Sequence, residues 1–255
     1  SAVSGMRLPP SLAGLGLRAR PPAREREALR VALPDGHQQP HVLGALAEAG
    51  LSFPGYAEGE RRPLGPRDGI EAKVIRPQDM PQMVALGAFD VAFTGRDCFL
   101  EHIYRFPSSP VAVAMDLGKG AFNMSAVVSV DLPAETMEEA VAFWQREGRP
   151  LIRIASEFVA IADHYARRRH LWRYRVIPTA GASEGFVPED ADLLIEGTET
   201  GRTLAENRLK AIDVLFRSTT CVVVGRHPPG GRRGELLRWF LDALRPVAVA
   251  GSATI

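Results

Sequence analysis

The chain has 255 residues, 45% hydrophobic and 24% charged, with 31 Lys and Arg against 30 Asp and Glu. That length suits one large domain or two small ones with a substantial core, and the near-neutral charge excludes a general nucleic-acid binder, which rests on a strong basic excess. Two isolated cysteines, Cys98 and Cys221, exclude a disulfide framework or a cysteine zinc site, and no apolar run reaches membrane-spanning length, so a cytoplasmic chain that meets neither membrane nor nucleic acid is expected.

Residues 1–27 are rich in Pro, Arg, Gly and Ala without amphipathic period and are expected to be a disordered tail. Arg30–Leu33 then reads as a buried strand, and Gln39–Gly50, apolar at Val42, Leu43, Leu46 and Ala47, as a helix ended by Gly50. Four glycines and three prolines make 51–70 a loop. Strand Glu71–Ile75, helix Met80–Leu86 and strand Asp90–Phe93 follow, and the alternation implies a parallel sheet flanked by helices. A short helix over Asp97–Tyr104 precedes strands Val111–Met115 and Ala126–Val130, which carry the chain into a second lobe. There, helix Thr136–Glu147, strand Leu151–Ile154, helix Glu157–Arg169 and strands Tyr174–Pro178 and Ala191–Ile195 are expected. Ile212–Phe216 and Cys221–Val224 are expected to return to the first lobe, and Leu236–Leu244 to close as a helix. The expected organisation is therefore α/β and two-lobed, with 28–110 and 212–245 in lobe I, 111–211 in lobe II, and ligand in the cleft between them at the carboxyl ends of strands.

One stretch carries the chemistry. Leu193–Ile195 reads as a strand and Leu204–Lys210 as a helix opening, so Thr200–Thr203 forms the turn between them. Gly201 supplies a left-handed turn conformation, and the backbone N–H groups of Thr200, Gly201, Arg202, Thr203 and Leu204 are placed to hold a terminal phosphate at a positive helix end. Glu196 and Glu199 precede the turn, where they can accept hydrogen bonds from vicinal sugar hydroxyls. An acid pair beside an anion hole points to a sugar phosphate.

This segment resembles the phosphoribosyl-pyrophosphate loop of the ATP phosphoribosyltransferase family, the first enzyme of histidine biosynthesis. Leu29 to Gly36 is similar to that family's opening strand and Pro-x-Gly turn. Arg76 to Val84 and Gly87 to Asp97 resemble its first-half signature, and Ile152 to Ser156 and Gly181 to Glu184 its second half. The resemblance covers about residues 28–225. It implies a fold like type II periplasmic binding proteins, the family's short form, Mg²⁺ with phosphoribosyl pyrophosphate as the donor system, and a nucleotide-like acceptor. It also implies a homo-oligomer or a regulatory partner related to histidyl-tRNA synthetase, and Leu236–Leu244 offers an apolar helix face.

Within that frame Glu196 and Glu199 hold the ribose as the catalytic pair. Arg76, Arg96, Asp35, His37 and Glu184 are the candidates to meet pyrophosphate or acceptor, and no residue set is assigned to the metal. Several positions depart from the family. Asp35 stands where the family has a basic residue, Phe122-Asn123 where it has Cys-Arg, and Glu157 where it has a frequent Lys. Two unit charges 4 Å apart at an effective dielectric constant of about 20 are worth about 4 kcal/mol, so the reversals argue for an acceptor less anionic than ATP. The alternatives are a non-catalytic small-ligand binding protein on the same fold and a subunit that acts only inside a complex. His37 and His41 have metal-ligand spacing with no third ligand nearby. The basic run Arg167–Arg175 reads as a helix end followed by a strand, and Asp163-His164 as a solvated pair.

Overall fold

A computed structural model describes residues 26–199 and 201–252. The tail expected over 1–27 and Thr200 of the phosphate turn therefore fall largely or wholly outside the described residues.

The first lobe begins with strand β1 (Leu29–Pro34), helix α1 (Gln39–Glu48), strand β2 (Ile70–Ile75), helix α2 (Met80–Ala85), strand β3 (Val91–Gly95), helix α3 (Arg96–Arg105) and strand β4 (Val111–Asp116). Strand β5 (Phe122–Ser129) opens the second lobe. Helix α4 (Met137–Arg146), strand β6 (Ile152–Ser156), helix α5 (Val159–Arg168), strands β7 (Tyr174–Pro178) and β8 (Leu193–Thr198), helix α6 (Gly201–Glu206) and strand β9 (Leu209–Ser218) complete it. The chain then returns through β10 (Thr220–Gly225) to a final helix, α7 (Gly231–Leu244).

The two sheets have one plan. In the first the order is β2-β1-β3-β10-β4 and in the second β7-β6-β8-β5-β9. Three parallel strands come first in each, followed by a strand running against them that arrives from the other lobe, and an edge strand outside it. Two crossings join the lobes, one between Asp116 and Phe122 and one at Ser218–Thr220. The fold is the two-lobed α/β architecture of type II periplasmic binding proteins.

This pairing moves two expected boundaries. Val111–Asp116 pairs with β10 and belongs to the first lobe, so lobe II does not start at 111. Leu209–Ser218 pairs with β5 along its whole length and belongs to the second lobe, so the return begins at Thr220 and not at 212. Both are edge strands, whose sheet is chosen by a partner far away in sequence. The expected helix over Leu204–Lys210 is likewise shorter: α6 ends at Glu206, and Leu209 already starts β9.

In the first lobe Leu29, Val31, Leu33, Phe93 and Phe240 are fully buried, and the Phe240 ring meets Phe53 and Phe93 edge-on at 6.1 and 6.0 Å. Leu236, Leu237, Phe240 and Leu244 thus spend the apolar face of α7 inside this core, which removes it as an oligomer surface. The second core gathers Met124, Ile154, Ile161, Leu193 and Ile195 beneath α4 and α5. Cys98 and Cys221 are buried free thiols. Among the described residues no helix is long and apolar enough to cross a membrane.

The basic run lies as expected at the end of α5 and before β7, and carboxylates occupy two of its arginines. Arg167 pairs with Asp163 on the next turn, and Arg169 with Glu138 and Asp213. His164 departs from its expected solvated setting, because its ring stacks on Tyr104 of the first lobe at 3.9 Å and 8°.

Candidate active site

The strands β1, β2, β3 and β8 end at the cleft, and the turn or helix start after each strand builds the site. After β1 the chain turns at Gly36, whose φ of +65° is a left-handed value that glycine adopts without strain. The turn presents Asp35, His37 and Gln38. With Arg76 after β2, Asp97 and Cys98 of α3, and Gly120, Phe122, Gly197 and Glu199 from the second lobe, they line a cavity of about 450 Å³. A second cavity, of about 280 Å³, shares Gly197 and Glu199 with it and is lined also by Glu184, Glu196, Thr198, Thr203, Leu204 and Asn207. The two form one groove with Glu199 at the joint.

The second cavity gathers residues expected from the sequence to form a sugar-phosphate cradle. Strand β8 runs to Thr198, so Glu196 sits within it and its carboxyl is half-buried. Burial pushes that carboxyl up to about 7, with further contributions from the neighbouring carboxylates Glu184 and Glu157. The group is therefore poised between hydrogen-bond donor and acceptor near neutral pH. Glu157 in turn accepts a short hydrogen bond from the N–H of Gly181, which fixes the loop leading to Glu184.

Three details differ from expectation. Gly201 is the first residue of α6 and not a turn residue, and a Cβ there would meet nothing within 4 Å, so its contribution is room at the helix's first position. Arg202 is 86% exposed and its Nε donates to Glu206 one turn on, which draws the guanidinium along the helix surface. Leu204 packs its side chain with Val127, Leu194 and Leu209, so only its backbone is available to a ligand. Thr203 and Asn207 do line the cradle, and Asn207 ties back to the Thr203 carbonyl at 2.9 Å.

In the other cavity Asp35, His37 and Arg76 come together as expected, while Arg96 does not. Its guanidinium lies 3.6 Å from the Asp116 carboxylate and lines a separate apolar pocket with Phe99, Ile103 and Val249. The reason is non-local: Asp116 ends β4, the strand carried to the first sheet beside α3. Nearby Lys119 is paired with Glu48 at 2.7 Å. Arg76 is thus the one Lys or Arg among the described residues lining the groove, against Asp35, Asp97, Glu184, Glu196 and Glu199.

Two residues of α3 tie the lobes together: Asp97, which closes the Gly87–Asp97 signature, and Glu101, which carries no sequence signal beyond its place on the helix. Asp97 is buried beside the crossing at Ser218. Its backbone N–H donates to Ser218 Oγ at 3.1 Å, and Ser218 Oγ–H donates back to Asp97 Oδ1 at 3.1 Å. Burial raises the Asp97 pKa, and the Ser218 and backbone hydrogen bonds pull it partly back. One turn on, Glu101 reaches across to α5, where its two carboxylate oxygens accept from the N–H groups of Ala160 and Ile161 at 2.9 and 2.8 Å. A first-lobe carboxylate thereby caps a second-lobe helix.

No group of three or more His, Cys, Asp or Glu able to hold a metal ion occurs among the described residues, and His37 and His41 find no third ligand there. Mg²⁺ favours one or two carboxylates together with substrate phosphates over a protein cage. The separate carboxylates of the groove are of the kind that would hold such an ion only together with a bound phosphate.

The profile of the family described as ATP phosphoribosyltransferase matches residues 76–241, which include Arg76, Phe122, Glu157, Glu184 and the whole cradle. The chain belongs to that family. An ATP phosphoribosyltransferase from Picosynechococcus is 30% identical over 217 residues, covering 83% of this chain and 96% of the relative. Among solved structures, the ATP phosphoribosyl transferase (HisG:HisZ) complex from Thermotoga maritima superposes with a TM-score of 0.67 at 26% identity, covering 86% of this chain and 98% of that one. The periplasmic aliphatic sulphonate binding protein SsuA from Escherichia coli shares the fold, with a TM-score of 0.50 at 12% identity over 88% of this chain and 73% of its own. At such identities the chain is a divergent member of the family.

Proposed function

We propose that this protein is an N-glycosyltransferase that moves the phosphoribosyl group of phosphoribosyl pyrophosphate to a ring nitrogen of a purine nucleotide or related acceptor. The observation that carries this reading is the cradle itself: Glu196, Glu199, Thr203 and Asn207 gathered around one cavity at the end of β8, before a helix start bare of side chain.

In that reading Glu196 and Glu199 hold the ribose hydroxyls, and the backbone N–H groups that open α6 hold the 5′-phosphate. The bond from the anomeric carbon to the pyrophosphate oxygen breaks, and the electron pair leaves with pyrophosphate. The ring-nitrogen lone pair of the acceptor forms the new bond. Glu199, at the joint of the two cavities, lies where positive charge develops on the sugar carbon and stabilises it electrostatically. Mg²⁺ held with the pyrophosphate would offset part of its negative charge, so that Asp35 and Glu199 would repel the complex less than the free polyanion. Arg76 is the side chain placed to meet the leaving group. The Thermotoga maritima neighbour is a HisG:HisZ complex, and we extend that arrangement to this chain as a regulatory second subunit beside any homo-oligomer.

Calorimetric titration with phosphoribosyl pyrophosphate and Mg²⁺ tests the cradle. Wild type is expected to bind the donor, and Glu199→Ala with Thr203→Ala to weaken it about 10- to 100-fold, the worth of one or two hydrogen bonds to charged groups. Absence of heat with wild type would sink the transferase reading. The scarcity of cations in the groove favours one rival, a non-catalytic binding protein on the same fold. Donor binding without pyrophosphate release, with or without a partner subunit, would select that rival.

A further inference from the structure

The pocket that Arg96 lines lies outside the groove and shares no lining residue with either of its cavities. It encloses about 520 Å³, a size at which small-molecule sites are found. One wall is a face of α3, where Arg96, Phe99, Leu100 and Ile103 recur at helical spacing and each is only partly buried. The other wall is β4, at Val113, and the chain after α7 closes the pocket. That closing segment covers the open edge of the first sheet: the Val249 N–H donates to the Asp116 carbonyl at 2.8 Å, and the Asp116 N–H donates to Ser252 Oγ at 3.2 Å. The Val249 side chain sits on Gly118, where a Cβ would fall 2.6 Å from it.

Strand register sets two guanidinium groups apart along this pocket. Cys221 pairs with Asp116 and Gly225 with Val111, so Arg96, beside Asp116, and Arg226, next after Gly225, stand at opposite ends of β4. The first is answered. Asp116 lies 3.6 Å from Arg96 and also accepts from the Thr219 hydroxyl and the Gly118 N–H, each at 2.7 Å. Arg226 is exposed and has no carboxylate partner among the described residues. A free guanidinium at one end of an apolar slot suits an amphipathic anion, because it can grip a carboxylate with two N–H donors while the hydrocarbon leaves water. A cationic ligand would find only Asp116, which three donors already share.

We propose that this pocket binds a small amphipathic carboxylate, with the anion at Arg226 and the apolar body between α3 and β4 against Phe99, Ile103, Val113 and Val249. The site is separate from the groove, and the proposal does not depend on the transferase reading.

The test is calorimetry on the full chain with octanoate, 1-octanol and octylammonium as probes. Octanoate is expected to bind at one site per chain, at least about fivefold tighter than the other two. Arg226→Gln should weaken octanoate about 5- to 20-fold, as for one charge-assisted hydrogen bond at a solvent-exposed end, and leave octanol within about twofold. The exposure of Arg226 lets that variant keep its fold. Phe99→Ala thins the apolar wall and should weaken octanoate and octanol alike, by about fivefold. Arg76→Gln, in the groove, should change neither. The proposal is overturned if wild type does not bind octanoate, if octanol or octylammonium binds as tightly, or if octanoate is unaffected by Arg226→Gln. Loss of octanoate in Arg76→Gln would place the probe in the groove, and its release on dimerisation in sedimentation would give the pocket to a second copy; either result overturns the proposal too.

Discussion

The two lobes share one strand plan, yet the segments after their equivalent strands are used in opposite ways. After β3 in the first lobe, helix α3 starts against the crossing, and its opening is filled from within the chain by Asp97 and Ser218. After β8 in the second lobe, helix α6 begins with Gly201, where a Cβ would meet nothing within 4 Å, and its Thr203 and Leu204 line a cavity. The same contrast separates the turns after β1 and β6. Gly36 leaves the first facing the cleft, while Glu157 closes the second onto Gly181. A helix start satisfied by its own protein is a joint, and the start of α6 is the one that the proposed function gives to a ligand. Topology sets both positions, and the side chains that fill them decide which is which.

Breaking the joint should cost stability before it costs binding. Asp97→Ala removes a buried carboxylate from the start of α3 and leaves the Ser218 O–H without its Oδ1 acceptor, so a loss of about 2 kcal/mol is expected, or about 4–8 °C in Tm for a chain of this size. Thermal unfolding checks it, and an unchanged Tm would make Asp97 a ligand group instead of a joint. Gly95 guards the same spot, since a Cβ there would fall 2.0 Å from Asp97 Oδ1.

The cross-lobe cap is the next effect in size. Glu101→Ala frees the N–H groups of Ala160 and Ile161 and should cost about 1–2 kcal/mol, with Glu101→Gln recovering part of it. Hydrogen exchange at those two amides should rise in the alanine variant, and the radius of gyration should increase as the lobes lose a tie. Protection unchanged at both amides would show that α5 is held by its packing alone.

The smallest effect belongs to the open end. Glu196 titrates higher in the folded protein, up to about 7, than its ordinary value of 4.5. The unfolded chain gives up the proton first, so stability is lost as pH rises from about 4.5 to about 7 and is flat above that. Glu196→Gln should therefore be more stable than wild type at pH 8, by about 1 kcal/mol once solvent screening of this half-buried group is allowed for, and equal to it below about pH 4. Denaturation at pH 4, 6 and 8 reads this directly. An advantage that is the same at all three would locate its origin in packing and not in ionisation.

Much of the site was legible because its residues are local to strand ends. The Glu196–Asn207 stretch announces its cradle by spacing, and the Pro34–Gly36 turn by its glycine, so Asp35, His37, Glu184, Glu196, Glu199 and Thr203 fall around one groove as read. Arg96 went the other way because its guanidinium answers to Asp116, twenty residues on and across two strands. Glu101 was not singled out, since an acid on an ordinary amphipathic helix says nothing about which helix will lie opposite it. Phe122 was noticed only as a departure from the family's Cys-Arg pair, and its seat over Gly197 depends on strand register.

By itself the sequence determined the alternation of strands and helices, the two-lobed class, the family and the nearness of Glu196, Glu199, Thr203 and Asn207, because each depends on hydrophobic period or on residues close together in the chain. The tertiary structure decided which sheet took the edge strands β4 and β9, which carboxylates became joints, and how few cations were left in the cleft. Those outcomes are set by contacts between segments 20 to 120 residues apart, as in the pairing of Arg96 with Asp116 and of Asp97 with Ser218. Such contacts form only when whole sheets have chosen their order, and no local pattern encodes that choice.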